Sequence, residues 1–297
     1  MTARTRRNLI EGLLFASPWI IGFLTFTFGP IIASLILSFY KWDVLTPPGF
    51  VGVGNYRYAL ARDPLFWKCL KNTCYYAFAS VPLGIVGALF LAVLLNQRVR
   101  GQNIFRTIFY LPSVITGVAT ALVWVLLLNP EIGGVNVLLR KVGISHPPGW
   151  LVDEKWAMPG LILMSLWGLG TMMIIYLAGL QNVPEELMEA ASIDGAGPVR
   201  RFVHVTLPLL TPTIFFNLVI SIIGSFQIFM QSYIMTNGGP ANATLTYVLH
   251  LYRNAFEQFH MGYASALAWI LFVILMTLTA LVLKSSPFWV YYEAERR

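Results

Sequence analysis

The segment Asn72–Gln97, NTCYYAFASVPLGIVGALFLAVLLNQ, contains no Asp, Glu, Lys or Arg and is bracketed by Lys71 and Arg98. A bilayer core demands about 20 consecutive apolar residues from a spanning helix, so this segment reads as a membrane span. The same absence of charge recurs in 12–40, 107–130, 156–184, 202–252 and 258–283. Six spans are predicted, near 12–39, 72–96, 105–128, 157–181, 210–235 and 263–284. The 202–252 run is too long for one helix. Asn237-Gly238-Gly239-Pro240 is expected to break it, leaving a loop and a short re-entrant or surface segment before span six. With 57% hydrophobic and 11% charged residues, the chain is too apolar for a soluble domain, where roughly 25% charged is typical. The fold class is an all-α membrane protein with six transmembrane helices.

An even number of spans places both ends on one side. Arg4, Arg6 and Arg7 precede span one, Arg98, Arg100 and Arg106 surround the turn after span two, and Arg296 with Arg297 close the chain. The positive-inside rule therefore predicts cytoplasmic termini in a multi-pass membrane protein. The net charge of +7 follows from this topology and implies no nucleic acid. Span one is too long for the roughly 7–15-residue core of a signal peptide and is expected to be retained. Cys69 and Cys74 are the only cysteines. Five helical residues set them about 140° apart, which suits packing better than a disulfide.

Ion-coupled transporters place costly ionisable groups inside the membrane, and no acidic or basic residue falls in the interior of these spans. His146, His204, His250 and His260 lack the spacing of a helical metal pair, and no phosphate loop of the Gly-x-x-x-x-Gly-Lys-Ser/Thr kind occurs. No metal site, catalytic group or cofactor is predicted in this chain. Uphill transport would have to draw its energy from another chain. An ion-coupled secondary transporter and a membrane enzyme are the rival classes; each lacks its expected residues.

Pro184–Ala196, PEELMEAASIDGA, gathers four carboxylates between spans four and five. Asn182 is expected as N-cap with Glu185 three residues on, Pro184 in the first turn, and Gly195 at the C′ position. Leu187, Ala190, Ala191 and Asp194 share a face at helical spacing, with Glu186 and Glu189 on its flanks. Gly197-Pro198 and the prolines of Thr206–Pro212 are expected to form a stiff elbow into span five. Spacing alone leaves two readings open: a docking helix for a soluble partner, or a solvated acidic loop.

Glu189-Ala190-Ala191, Asp194-Gly195-Ala196 and Leu207-Pro208 resemble the signature loop of permease subunits in bacterial binding-protein-dependent ABC importers. Gly52-Val53-Gly54-Asn55-Tyr56, Asn72-Thr73, Phe105–Pro112, Trp124 and Gly133–Asn136 are similar to the maltose-type sugar permeases. Thr236–Pro240, Tyr252–Phe256 and Met261–Ala264 resemble the larger of that family's two sugar-permease partners, in its compact six-span form. The resemblance implies a type I ABC importer permease fold in the bacterial inner membrane, with a cytoplasmic coupling helix. Glu185, Glu186, Glu189, Ala190, Ala191, Asp194 and Gly195 would form that helix. Glu189 would pair with a basic ATPase residue, and the alanines and Gly195 would allow a close fit. The implied partners are a second homologous permease, two ATPase subunits that bind ATP and Mg, an extracytoplasmic solute-binding protein and the bilayer. Residues 1–11 become a cytoplasmic N-terminus, 12–284 the permease domain with its coupling loop at 182–208, and 285–297 a cytoplasmic tail.

Two polar stripes are candidates for the solute pathway. Span five offers Asn217, Ser221 and Ser225 at successive i+4 steps, with Gly224 beside them, then Gln227 and Gln231 on an adjoining stripe. Span four offers Met164, Trp167, Gly168 and Thr171, where Trp167 would stack on a sugar ring. Each residue has helix packing as its alternative role. The stripes contain no Lys or Arg, which favours a neutral sugar or oligosaccharide, moved by alternating access, over glycerol phosphate or another small solute.

Overall fold

The computed structural model describes residues 3–97 and 100–291. The chain divides into two compact units, Met1–Asp63 with Leu251–Val273, and Pro64–His250 with Ile274–Arg297. Of the arginines used to orient the chain, Arg98, Arg296 and Arg297 lie outside the described residues.

The first unit contains span one, Ile10–Leu37, whose apolar window has no buried residue. It is apolar all round, as a lipid-facing helix should be. A π-helical turn at Leu24–Phe28 precedes Pro30. A two-stranded hairpin follows, pairing Tyr40 with Phe50 and Lys41 with Gly49. In its loop Asp43 accepts from the Thr46 amide at 2.9 Å and hydroxyl at 2.6 Å. Those bonds, the hydroxyl first, hold the Asp43 carboxyl below its ordinary value. Asp63 is buried and accepts a hydrogen bond from the Tyr263 hydroxyl.

The second unit is organised by span two, Phe66–Leu95. Ser80, Gly84, Ala88 and Ala92 recur every fourth residue and are all buried. Small residues at that spacing let helix backbones approach, which is how membrane helices associate without a hydrophobic driving force between them. Ala88 and Ala92 pack in one cluster with Met173, Tyr176, Leu177 and Leu180 of span four and Leu210 of span five. Cys69 and Cys74 are free and lie on the span-two helix, Cys69 buried.

Among the described residues four helices are long and apolar enough to cross a membrane, and the number is six if each of two bent pairs is one span. Spans three and four therefore depart from the single helices expected. Span three is Gln102–Val114 followed by Gly117–Leu127, bent by 100°. Ile115 and Thr116 are extended, and Pro112 has already removed one hydrogen bond from the last turn before them. Span four is Glu154–Gly168 followed by Gly170–Gln181, bent by 46°. A 3₁₀ turn at Leu166–Gly168 forms that break.

Span five also differs. It is one helix, Pro198–Phe226, beginning well before the predicted 210 and ending before 235. The expected proline elbow is absent. Pro208 and Pro212 sit inside the helix, and a π turn at Phe202–Thr206 precedes Pro208. Leu207 donates back to Phe202 O in the wider π pattern, a common adjustment where a proline interrupts the ladder.

The break at Asn237–Pro240 is present. Asn237, Ala241 and Asn242 all have positive φ, and the loop is held from span two. Asn72 donates to Asn242 O at 2.9 Å and Leu245 O at 3.0 Å, and Lys68 to Ala241 O at 2.6 Å. A short helix, Tyr247–Tyr252, continued by a π turn at Arg253–Glu257, fills the interval before span six, Met261–Trp289.

Candidate functional site

The acidic segment forms a helix, Glu185–Ile193. Its start differs from expectation: Pro184 is the N-cap, without a side-chain bond, and Asn182 instead closes the preceding helix as C-cap. Span four runs on to Gln181, so too few residues separate the two helices for Asn182 to cap the second. Glu185 and Glu186 occupy the first turn, where carboxylates meet the positive end of the helix dipole. The end is as predicted. Gly195 has φ +78°, and the Ala196 amide donates to Ala191 O at 2.9 Å while Gly195 donates to Ser192 O at 3.1 Å. This paired pattern stops the helix, and glycine takes its left-handed position without strain.

The helix is seated by a residue that spacing did not single out. Met188 is half-buried, and its sulfur accepts from Thr206 Oγ1 on span five at 3.6 Å. Leu187, Ala190, Asp194 and Glu186 face outward, joined by Ile193, while Ala191 is half-buried. Asp194 is the C-cap rather than a member of the helix. Glu185 and Glu189 line a cavity of about 560 Å³ together with Asn96, Gln181, Met188, Ser192, Arg201 and Thr206. One guanidinium thus shares a cavity with two carboxylates, and Arg201 Nε is buried without a hydrogen-bond partner among the described residues. Beside it, Arg106 and Gln102 donate to Leu95 O at the end of span two.

A second concavity lies within the membrane-spanning bundle. Tyr76, Ser80, Val81 and Gly84 of span two, Ser165, Gly168, Leu169 and Met172 of span four, and Ser221, Gly224 and Ser225 of span five line a cleft of about 230 Å³. Four serine hydroxyls and a phenol point to polar chemistry, and no lining residue is ionised at neutral pH. Ser165 donates to Ile162 O at 2.6 Å and Ser225 to Ile222 O at 2.8 Å. Ser165 also hydrogen-bonds the Tyr76 side chain, while Ser225 keeps lone pairs that can accept from a solute hydroxyl.

The two predicted stripes fare differently. Asn217, Ser221 and Ser225 do follow one another along a single helix. Asn217 is buried and its amide donates to Thr213 O at 3.0 Å, away from the cleft lining. Gln227 is the C-cap of span five and Gln231 precedes a separate π turn, so they do not continue that stripe. In span four the 3₁₀ turn interrupts the i, i+3, i+4, i+7 pattern, and only Gly168 reaches the cleft. Met164 is buried in a cluster with Tyr76, Trp124, Leu161 and Ile228. Trp167 packs edge-to-face on Trp124 at 5.6 Å, and Thr171 is exposed. Ser80, Ser165 and Tyr76 were missed. The buried ladder of small residues in span two was the available signal for Ser80.

Comparison with known proteins places this architecture. Residues 80–288 match the model for the binding-protein-dependent transport system inner membrane component. The probable ABC transporter permease protein YesP of Bacillus subtilis is 46% identical over 292 residues, covering 98% of this chain and 94% of that protein. The arabinooligosaccharides transport system permease protein AraP of Bacillus subtilis is 37% identical over 280 residues, covering 92% of this chain and 87% of that protein. Among solved structures, a chain of the bacterial alginate ABC transporter, in complex with its alginate pentasaccharide-bound periplasmic protein, superposes with a TM-score of 0.81 at 25% identity. That match covers 95% of each chain. The fold is that of a type I ABC importer permease, and the chain belongs to the family of binding-protein-dependent transport system inner membrane components.

Proposed function

We propose that this chain is one of two permease subunits of an ATP-driven importer for a neutral sugar or oligosaccharide. The observation that carries the reading is one helix joining two sites. Pro198–Phe226 meets the acidic helix at Thr206 and walls the cleft with Ser221 and Ser225. Fifteen helical residues separate Thr206 from Ser221, roughly 22 Å at 1.5 Å per residue. A displacement of the acidic helix reaches the cleft through a continuous rod.

The cleft favours a neutral polyhydroxylated solute, since its lining offers hydroxyls and no cation for an anionic group. Its volume is below the roughly 300–1,000 Å³ of ligand pockets, which fits one wall of a pathway completed by a sister permease. The relatives support a saccharide without fixing its charge: AraP is named for arabinooligosaccharides and LacF of Rhizobium radiobacter for lactose, whereas the structural neighbour is involved in the import of the acidic polysaccharide alginate. ATP and Mg would be held by two separate ATPase subunits, and solute would arrive from a binding protein on the outer face, as in the alginate complex. Both termini and the 182–208 loop would then face the cytoplasm.

On this reading Glu185–Ile193 is the coupling helix, its exposed Leu187, Ala190 and Ile193 meeting the ATPase and Glu189 pairing with a cation there. Glu189→Lys in the reconstituted complex should leave assembly partly intact and abolish solute-stimulated ATP hydrolysis and uptake. Wild-type coupling in that variant would overturn the assignment. Uptake that survives ATP depletion but stops with an uncoupler would replace the importer by an ion-coupled carrier.

A further inference from the structure

The connection between spans three and four exposes large apolar side chains next to basic ones. Its helix, Gly134–Lys141, turns Asn136 inward. The Asn136 amide donates to Pro130 O at 3.1 Å and Pro148 O at 3.0 Å, and its Oδ1 accepts from Trp150 Nε1 at 2.7 Å. Val135 packs against the buried cluster around Trp124 and Leu128. These contacts fix the helix about its axis. What they leave outside carries large apolar side chains: Leu138 is 64% and Val142 83% exposed, with Ile132 at 75% just before the helix. Arg140 and Lys141 are exposed beside them, Arg140 donating to Pro130 O and Glu131 O.

We propose that this helix lies in the lipid headgroup layer, with Leu138 and Val142 at the acyl boundary and Lys141 reaching the phosphates. Its position supports this. Gly133 sits against the end of span three so closely that a Cβ there would lie 2.5 Å from Leu127 O and 2.4 Å from Asn129 O. The helix therefore starts where the chain leaves the bilayer core. Trp150 and Trp156 pack edge-to-face at 5.3 Å beside it, and tryptophan concentrates at membrane interfaces. An apolar ridge carrying a basic residue is the composition of an interfacial helix.

The other occupants fit less well. A binding protein that leaves in each cycle would return the ridge to water, where exposed apolar surface is unfavourable. A permanent permease partner would bury a lysine, a residue type depleted from such interfaces. Lipid accommodates both, since the lysine stem lies along the acyl region while its ammonium stays at the phosphates.

The test uses the whole chain assembled with its partner subunits in nanodiscs of phosphatidylethanolamine and phosphatidylglycerol. Nitroxides are placed singly at Leu138→Cys, Val142→Cys and Ser145→Cys in a Cys69→Ala, Cys74→Ala background. The ratio of oxygen to nickel-chelate collisions should be several-fold higher at 138 and 142 than at 145. Equal ratios at the three sites, or labels at 138 and 142 immobilised and shielded from both reagents, overturn the proposal. If the cysteine-substituted chains fail to assemble, a photoreactive benzoylphenylalanine at Val142 in the unaltered background decides. A lipid adduct is expected on illumination of native membranes; its absence, or an adduct to another protein, overturns the proposal.

Discussion

Gly168→Ala and Gly170→Ala add the same methyl two residues apart, and the structure expects opposite consequences. A Cβ at Gly170 would lie 2.6 Å from Phe109 O, 2.7 Å from Tyr110 Cα and 3.1 Å from Ser113 Oγ. The first two are backbone atoms of the neighbouring helix, so no side-chain rotation relieves them. Ordinary contact begins near 3.4 Å, so the helices must part by roughly 0.7 Å. Overpacking against rigid backbone falls in the upper part of the usual range, about 2–3 kcal/mol, and the gain in helix propensity returns at most about 1 kcal/mol. The net loss of about 1–2 kcal/mol lowers the folded-to-unfolded ratio by a factor of about 5–30. At Gly168 nothing lies within 4 Å of a Cβ, so stability should hold or rise slightly while the methyl enters the cleft. Unfolding by SDS titration of the purified permease pair, alongside solute uptake in proteoliposomes, separates the two. A wild-type unfolding midpoint for Gly170→Ala, or an equal loss for both variants, would refute the packing argument.

Ser80→Leu should leave the unfolding midpoint within about 1–3 kcal/mol of wild type and abolish uptake, because it fills the cleft from span two; unimpaired uptake in proteoliposomes would show that solute passes elsewhere. Asn72→Leu removes the donor to two loop carbonyls, each worth about 1–3 kcal/mol if left unsatisfied, and should speed hydrogen exchange through 237–246 selectively; unchanged exchange would mean the loop is held without it. Met188→Ala should cost about 1–2 kcal/mol for a half-buried side chain and uncouple ATP hydrolysis from uptake, whereas Met188→Leu keeps both; equal behaviour of the two would rule out a seating role.

The number and place of the spans were legible because charge is expensive in lipid, so its absence over 20 or more residues has one common cause. Where those spans bend was not. A helix apolar on every side carries no periodic signal about which residues touch a neighbour, and the break at Leu166–Gly168 contains no proline. Pro112 was a local warning for span three. The consequence fell on the span-four stripe: Trp167 and Thr171, counted along an ideal helix with Gly168, do not line the cleft with it once the 3₁₀ turn intervenes. The acidic helix was legible at its end, where Gly195 takes a left-handed backbone that few other residues accept. Its start was misread because Asn caps both ends of helices, and which end it serves depends on how far span four continues.

The same blindness hid the most consequential element. Pro208 and Pro212 suggest a stiff elbow between the acidic helix and span five, with the chain turning at the prolines. The π turn at Phe202–Thr206 removes the need for that elbow, because it lets the backbone pass the first proline while the helix continues from Pro198 to Phe226. The acidic helix then bears on the near end of a rod, through Met188 and Thr206, whose far portion lines the cleft. In a protein with no ionisable residue lining that cleft and no phosphate-binding loop, such a rod is the mechanical link an external ATPase would require. Breaking the rod while preserving both ends is therefore the sharpest probe of it. Ile214→Pro introduces a third proline in the interior of span five, between the acidic helix and Ser221, at about 3 kcal/mol or more. The proposed linkage expects ATP hydrolysis to continue, unresponsive to solute, in complexes that still assemble. Solute-stimulated hydrolysis at the wild-type level in that variant would show that the signal takes another route.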